Sequence, residues 1–210
     1  MKQKVIFIGA GGYAKSALDS LDQEKYEFYG FIDNSKPIGS SHLGYPIVAK
    51  TIREFNDRDN YCYFVSIGGN ENRSRKFISL QELNCKIISV IDKSAIVSER
   101  SELGIGVFIG KLSIVNAGTK IGNNVIINTK SLIEHGCCIE DHCNISTNTT
   151  LNGDVFVSEY SFIGSSSIIN GQLHIGKRAV VGSGAVVTKN VISETVVAGV
   201  PARIIRNINE

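Results

Sequence analysis

The sequence predicts an α/β unit over residues 1–88, then an all-β parallel β-helix over residues 89–192, and a short tail at 193–210. Three observations carry this: an unbroken hydrophobic period of six, an unusual Ile and Gly content, and a β-α-β series with glycine turns. Among 210 residues there are 29 Ile and 21 Gly but only 3 Pro and no Trp. β-Branched side chains pack well on a pleated surface, so this composition points to many short strands joined by tight turns.

Steps of six from Ile91 to Val187 land on Ile, Leu or Val at all seventeen positions. Those three types make up 57 of 210 residues, so agreement by chance is on the order of 10⁻¹⁰. Four positions after each stands a small residue in most turns, among them Ser113, Thr119, Ser131, Cys137, Cys143, Thr149 and Ser161. One position after, Gly104, Gly110, Gly122, Gly164, Gly176 and Gly182 alternate with asparagines. These are expected as turn residues, because Gly and Asn tolerate φ > 0. A helix repeats at 3.6 and a plain strand at 2, so a period of six with one large and one small inward residue is that of a β-helix built from hexads.

Residues 1–88 lack the hexads. Val5–Ile8 reads as a buried strand, followed by Gly9-Ala10-Gly11-Gly12 and an amphipathic stretch through Ala14, Ala17, Leu18 and Leu21. Phe28–Ile32 and Tyr61–Ile67 read as further strands, Ile52–Phe55 as part of a short helix and Arg73–Leu83 as a longer one. The series is Rossmann-like. Gly9-x-Gly11-x-x-Ala14, with Asp33 about twenty residues on, satisfies the dinucleotide fingerprint. Eighty-eight residues hold only about one of the two mononucleotide halves that a dinucleotide needs. A mononucleotide or nucleotide-sugar site therefore fits better than an NAD-dependent oxidoreductase, and a turn that binds nothing is the bland reading.

Composition excludes other classes. Lys+Arg 22 against Asp+Glu 20 leaves +2, too balanced to argue for nucleic acid or an anionic membrane surface. No apolar run approaches the roughly 18 residues of a membrane span, and the start reads as a buried strand instead of a signal peptide. Five cysteines without disulfide-like spacing fit a reducing cytoplasm.

Of His42, His135, His142 and His174, the last three must project outward from coils that have no room inside for imidazole. If coils hold eighteen residues, His135 is flanked by Ala117 and Gly153, with Gly171 beyond, which leaves space for a ligand beside a base. Imidazole, with a reference pKa of about 6.5, suits proton abstraction near neutrality. Glu134, Glu140 and Asp141 are the nearby carboxylates that could orient it. Cys137 and Cys143 take the small inward position and read as core, while Cys138 is less constrained. The histidine spacings of 7 and 32 match no coil multiple, so no zinc site is expected.

Asn128-Thr-Lys-Ser-Leu-Ile-Glu134-His135-Gly136, Cys143-Asn144-Ile-Ser146-Thr-Asn148 and Leu151-Asn-Gly-Asp154-Val resemble the NeuD-type sialic acid O-acetyltransferases. So do Gly182-Ser-Gly-Ala-Val-Val187, Val197-Ala-Gly-Val-Pro-Ala-Arg-Ile204, Phe7-Ile-Gly-Ala-Gly-Gly and Gly30-Phe-Ile-Asp33, so the likeness spans nearly the whole chain. These enzymes belong to the hexapeptide-repeat sugar acyltransferase family, which the chain therefore resembles. The resemblance implies left-handed triangular coils of three hexads, an acetyl-CoA donor, no metal, and a cytoplasmic homotrimer with sites between subunits. It implies His135 as general base, Glu134 beside it, and Asn144 donating to the acetyl carbonyl. Coenzyme would lie along Asn128, Gly153, Ser165 and Ser183, and a sugar or nucleotide-sugar acceptor at Gly9, Gly11, Gly12, Asp33, Gly68 and Asn70. The implied activity is O-acetylation of sialic acid or CMP-sialic acid for surface polysaccharide (capsule) biosynthesis. The alternatives are an N-acetyltransferase of a UDP-4-amino-4,6-dideoxy sugar, and a non-catalytic scaffold of a sialic acid pathway. Relatives that acetylate amino sugars usually carry an acid after the histidine and a second histidine further on. Here Gly136 and Asn144 stand in those places.

Overall fold

The computed structural model describes residues 2–208. The chain forms two compact units, Met1–Ile91 and Asp92–Glu210. In the first, β1 (Gln3–Ile8), α1 (Gly12–Asp19), β2 (Tyr26–Ile32), β3 (Ser41–His42), β4 (Tyr45–Ala49), β5 (Cys62–Val65), α2 (Asn70–Glu82) and β6 (Lys86–Ile87) follow in order. They make one sheet, β3-β4-β2-β1-β5-β6, parallel except for the β3–β4 hairpin. Val5 to Ile8 are at most 3% exposed, as a strand covered on both faces requires. Ile6 and Ile8 face a core with Ile32, Tyr63, Val65, Phe77 and Leu80. Phe7 faces the other side, with ring centroids 4.9 Å from Phe28 and 5.2 Å from Phe64.

The second unit is the stacked β-helix. Its parallel pairs join Ile114 to Leu132, Leu132 to Thr150, and Thr150 to Ile168, eighteen residues at each step. Three faces result. The first carries Phe108, Ile126, Asn144, Phe162 and Val180, the second Ile96, Ile114, Leu132, Thr150, Ile168 and Val186. The third carries Glu102, Lys120, Cys138, Phe156 and His174. The inward hexad residues from Ile109 to Val187 are at most 3% exposed, whereas Ile91, at the head of the period, is 39% exposed.

The small inward position does more than make room. Ser113 Oγ donates to Asn128 O (2.7 Å), Thr119 Oγ1 to Glu134 O (3.1 Å) and Ser131 Oγ to Ser146 O (2.8 Å). Thr149 and Ser161 repeat the pattern to Gly164 O and Gly176 O, always fifteen residues on. These five hydroxyls thus find their acceptors in the edge of the following coil, while Ser167 Oγ donates to Gly164 O in its own coil (2.6 Å), so none of the six donors is stranded in an apolar interior.

Two expectations are corrected. The left-handed residues are not the glycines that follow the inward position but the residues two further on. Leu112, Asn124, Lys130, His142, Asn148 and Tyr160 have φ between 55° and 63°. The expected turn glycines serve close approach instead: a Cβ on Gly164 would lie 2.6 Å from Ser183 N and from Val181 O. Second, the segment expected as a tail carries two more strands, Thr195–Ala198 and Arg203–Asn207, paired antiparallel. Replacing Gly164 by Ala is expected to lower stability by about 1–3 kcal/mol through this overpacking, read as a shift of the denaturant midpoint.

Candidate functional site

The predicted residues fall into two groups, one in each unit. In the first unit Gly9 ends β1 at φ +102°, where a Cβ would meet Ile67 Cγ1 at 2.6 Å. Gly11 and Gly12 face open space, with nothing within 4 Å of a Cβ, and Ala14 is fully buried against the sheet. Each residue of the fingerprint thus has its own task of turn, ligand approach or packing. Gly11 and Gly69 are the N-caps of α1 and α2, and neither helix start has a side-chain cap. Both present backbone N–H groups and the positive end of the helix dipole.

These starts border a cavity of about 720 Å³ at the C-terminal ends of β1, β2 and β5, where strand order reverses and α/β sheets bind ligands. Gly9, Gly11, Gly12, Asp33 and Gly68 line it, as does a set that sequence reasoning missed: Lys50, Arg53, Arg75 and Lys76. Split between two stretches some twenty residues apart, these cations read as ordinary solvated charge until the fold gathers them. Asn70 does not line the cavity. Its Oδ1 accepts from Arg73 Nη2 (2.9 Å), while Arg73 Nη1 donates to Gly68 O (2.8 Å) and fixes the glycine turn.

The Asp33 carboxylate is already engaged. Oδ2 accepts from Ala10 N (2.7 Å), and Oδ1 from Ser35 N (2.8 Å) and Ser35 Oγ (2.6 Å). Burial pushes its pKa up, but the Ser35 hydroxyl and the Ala10, Ser35 and Lys36 amides outweigh that and hold it below the usual carboxylate range. Asp33 therefore pins the glycine loop to the end of β2.

In the second unit His135 lies at the edge between the second and third faces, exposed. Its ring covers Gly153 one coil on: a Cβ there would sit 2.6 Å from the ring Cε1 and 2.8 Å from Nε2. Glu134 turns its carboxylate back to the His135 amide (Oε2 to N, 3.4 Å) instead of to the ring. Asn144 is not brought to His135 within one chain, because nine residues are half a coil. It sits on the first face, opposite that edge, 7% exposed, with Oδ1 accepting from Ser146 Oγ at 3.4 Å. Asn128, Ser165 and Ser183 share the edge between the first and second faces, with Gly184 N donating to Ser165 O (2.8 Å). Gly153 lies on the His135 edge, so the four expected coenzyme residues occupy two edges flanking one face.

Cys137 is fully buried, burial pushes its thiol up to about 11, and Sγ donates to Asn152 O. Cys143 is also buried and bonded to Ser158 O. Among the described residues no group of three His, Cys, Asp or Glu is placed to hold a metal ion, and no helix is long and apolar enough to cross a membrane.

Residues 4–80 match the family described as the PglD N-terminal domain. The whole chain is similar to several solved structures. A variant of perosamine N-acetyltransferase from Caulobacter crescentus, in complex with CoA and GDP-perosamine, shares 28% identity at TM-score 0.92, over 97% of each chain. The acetyltransferase domain of PglB from Neisseria gonorrhoeae, in complex with acetyl coenzyme A, shares 26% at TM-score 0.89, over 98% of this chain and 100% of that one. WeeI from Acinetobacter baumannii shares 26% at TM-score 0.85, over 96% and 99%. No curated protein matches. The acetyltransferase class expected from the sequence is thus the class named for two of these structures.

Asp33→Asn is expected to cost about 1–2 kcal/mol at pH 7, where an anionic acceptor is lost. Because its folded pKa is depressed, Asp33 stabilises the fold above the ordinary carboxylate pKa and loses that contribution as pH falls through the folded value. Urea unfolding of both proteins should show the gap narrowing on acidification below pH 5.

Proposed function

We propose that the protein is an acetyl-CoA-dependent N-acetyltransferase whose acceptor is an amino sugar carried on a nucleotide. The observation that carries this is the cavity at the end of β1, β2 and β5. Two uncapped helix starts and four cations converge there, on open glycines, which suits phosphate groups. A free sialic acid brings one carboxylate to such a site, whereas a nucleotide sugar brings phosphates and fills the length. The likeness to perosamine N-acetyltransferase in complex with GDP-perosamine supports the same ranking. O-acetylation of sialic acid, first in the sequence reading, comes second. It keeps the support of Gly136 and Asn144, which depart from the pattern of amino-sugar enzymes.

In this reading acetyl-CoA lies beside the His135 edge. The acceptor amine attacks the thioester carbonyl, the C–N bond forms, and the C–S bond breaks to release CoA. His135 takes the proton that the amine sheds, and no acyl-enzyme forms. Coenzyme contacts fall to Asn128, Gly153, Ser165 and Ser183. The chain works as a cytoplasmic homotrimer, in which the outward, mostly apolar column Ile96, Ile114, Leu132, Thr150, Ile168 and Val186 supplies subunit contact.

The test is thiol release from acetyl-CoA, run in parallel with UDP- and GDP-linked 4-amino sugars, sialic acid and CMP-sialic acid. Release with an amino sugar and an alkali-stable amide product is expected. Release with only the sialic forms and an alkali-labile ester would overturn the acceptor assignment. His135→Ala should lose about 10²–10⁴-fold in turnover with the fold intact; unchanged turnover would remove it from the chemistry. Gly12→Asp places a carboxylate in open space at a helix start. Its folding stability should hold while nucleotide affinity, measured by calorimetry, falls at least about tenfold.

A further inference from the structure

The polar groups around the cavity of the first unit divide into those already spent on the fold and those that a ligand can use. Asp33 is the one carboxylate among the described residues that line it. It accepts from Ala10 N, Ser35 N, Ser35 Oγ and the Lys36 amide, which fills the roughly four lone-pair sites of a carboxylate. In the dinucleotide fingerprint the acid at this place reads a ribose 2′-hydroxyl. Here it has no acceptor position left for one.

The four cations divide in the same way. Arg53 Nη2 is paired with Glu82 Oε2 (3.0 Å). Arg75 Nη2 donates to Asn72 Oδ1 (2.6 Å) and its Nε to Glu71 O (3.4 Å). Lys50 Nζ donates to Lys36 O and to Asn34 O, which leaves it a single free proton. Lys76, half-buried on α2, makes no hydrogen bond or ion pair with any described residue.

Its place on the helix suits an anion. Asn72, Lys76 and Leu80 are spaced by four and line the cavity as one stripe. Lys76 stands six residues beyond Asn70, where α2 begins, which is roughly 9 Å along the axis. A long helical side chain lies back over the turn before it, so the lysine covers most of that distance toward the amides of the uncapped start.

We propose that Lys76 is the side chain that binds the phosphate groups of the nucleotide, and that the cavity takes ribo- and 2′-deoxyribonucleotide carriers alike. This rests on the nucleotide-sugar reading and adds to it which cation meets the ligand and which part of the ligand goes unread. An ammonium without a partner gains a charge-assisted bond on binding, whereas Arg53 and Arg75 must give one up. A site built to read a hydroxyl leaves a polar group short when that hydroxyl is missing; Asp33 loses nothing.

The full chain is titrated by calorimetry with UDP, GDP and their 2′-deoxy forms. Each pair should agree in Kd within about threefold, whereas a carboxylate that read the hydroxyl would penalise the deoxy form about tenfold or more. Lys76→Met should weaken UDP and GDP about tenfold or more and flatten the dependence of Kd on salt. With no partner lost, its urea midpoint should match that of the parent chain. Lys50→Met, Arg53→Met and Arg75→Met should each lose less affinity. An unmoved Kd in Lys76→Met, or a larger loss in one of the other three, would overturn the part given to Lys76 while nucleotide binding stands. A preference of about tenfold for the ribo forms would overturn the second part in the same way. No binding of any of the four nucleotides would overturn the nucleotide reading and the inference with it.

Discussion

Everything in the second unit depends on one constraint: each coil must close in eighteen residues so that its polar edge groups meet partners in the coil above. The backbone pairs of the three faces satisfy the flat segments. The inward hydroxyls and thiols satisfy the edges, Thr119 at Glu134 and Cys137 at Asn152 among them. Those two bonds hold the carbonyls that precede the corner in the coil of His135 and in the next coil, so the position of the proposed base follows from core chemistry on the opposite side of the backbone. An exposed histidine on a free loop would have no such reference frame.

The first unit obeys a different constraint. Its sheet is buried on both faces, so polar groups can collect only where strands end. β1, β2 and β5 end together, and the loop after β1 must turn sharply and then leave its backbone bare. Gly9 makes the turn and Gly11 and Gly12 leave the space. The Asp33 carboxylate holds the loop from beneath by the Ala10 amide. A net charge of +2 conceals the result, because acids balance these cations, Glu82 directly at Arg53 (3.0 Å) and others further off on the surface.

How much of this could be read from sequence varies with the range of the interaction. The hexads were fully legible, since the large residue facing inward is Ile, Leu or Val in every turn. The glycine fingerprint was legible because its tasks are local. The role of the glycines after each inward residue was not. Gly164 looks like a turn residue by type, and only the approach of Ser183 and Val181 from the next coil shows that a Cβ is what must be absent. The strand Tyr45–Ala49 was missed because Pro46 interrupts its pattern. Lys50, Arg53, Arg75 and Lys76 carry no signal in order, only in space. Asn144 misled for the opposite reason: nine residues is close in sequence and half a coil away in the fold.

The left-handed corner that recurs every six residues, filled by residues as unlike as Leu112, Lys130, His142 and Tyr160, bears on how such a chain can change length. An insertion of one or two residues inside a hexad would bring an inward side chain to the surface and misalign every later coil. An insertion of six would preserve the core pattern but carry all later residues one edge round the prism, away from the partners they now meet. Only a step of eighteen leaves each edge with its own residues. Growth and loss in this fold are therefore quantised, and variation finer than one coil is confined to excursions at the corners, where a loop can leave and rejoin the same left-handed bend.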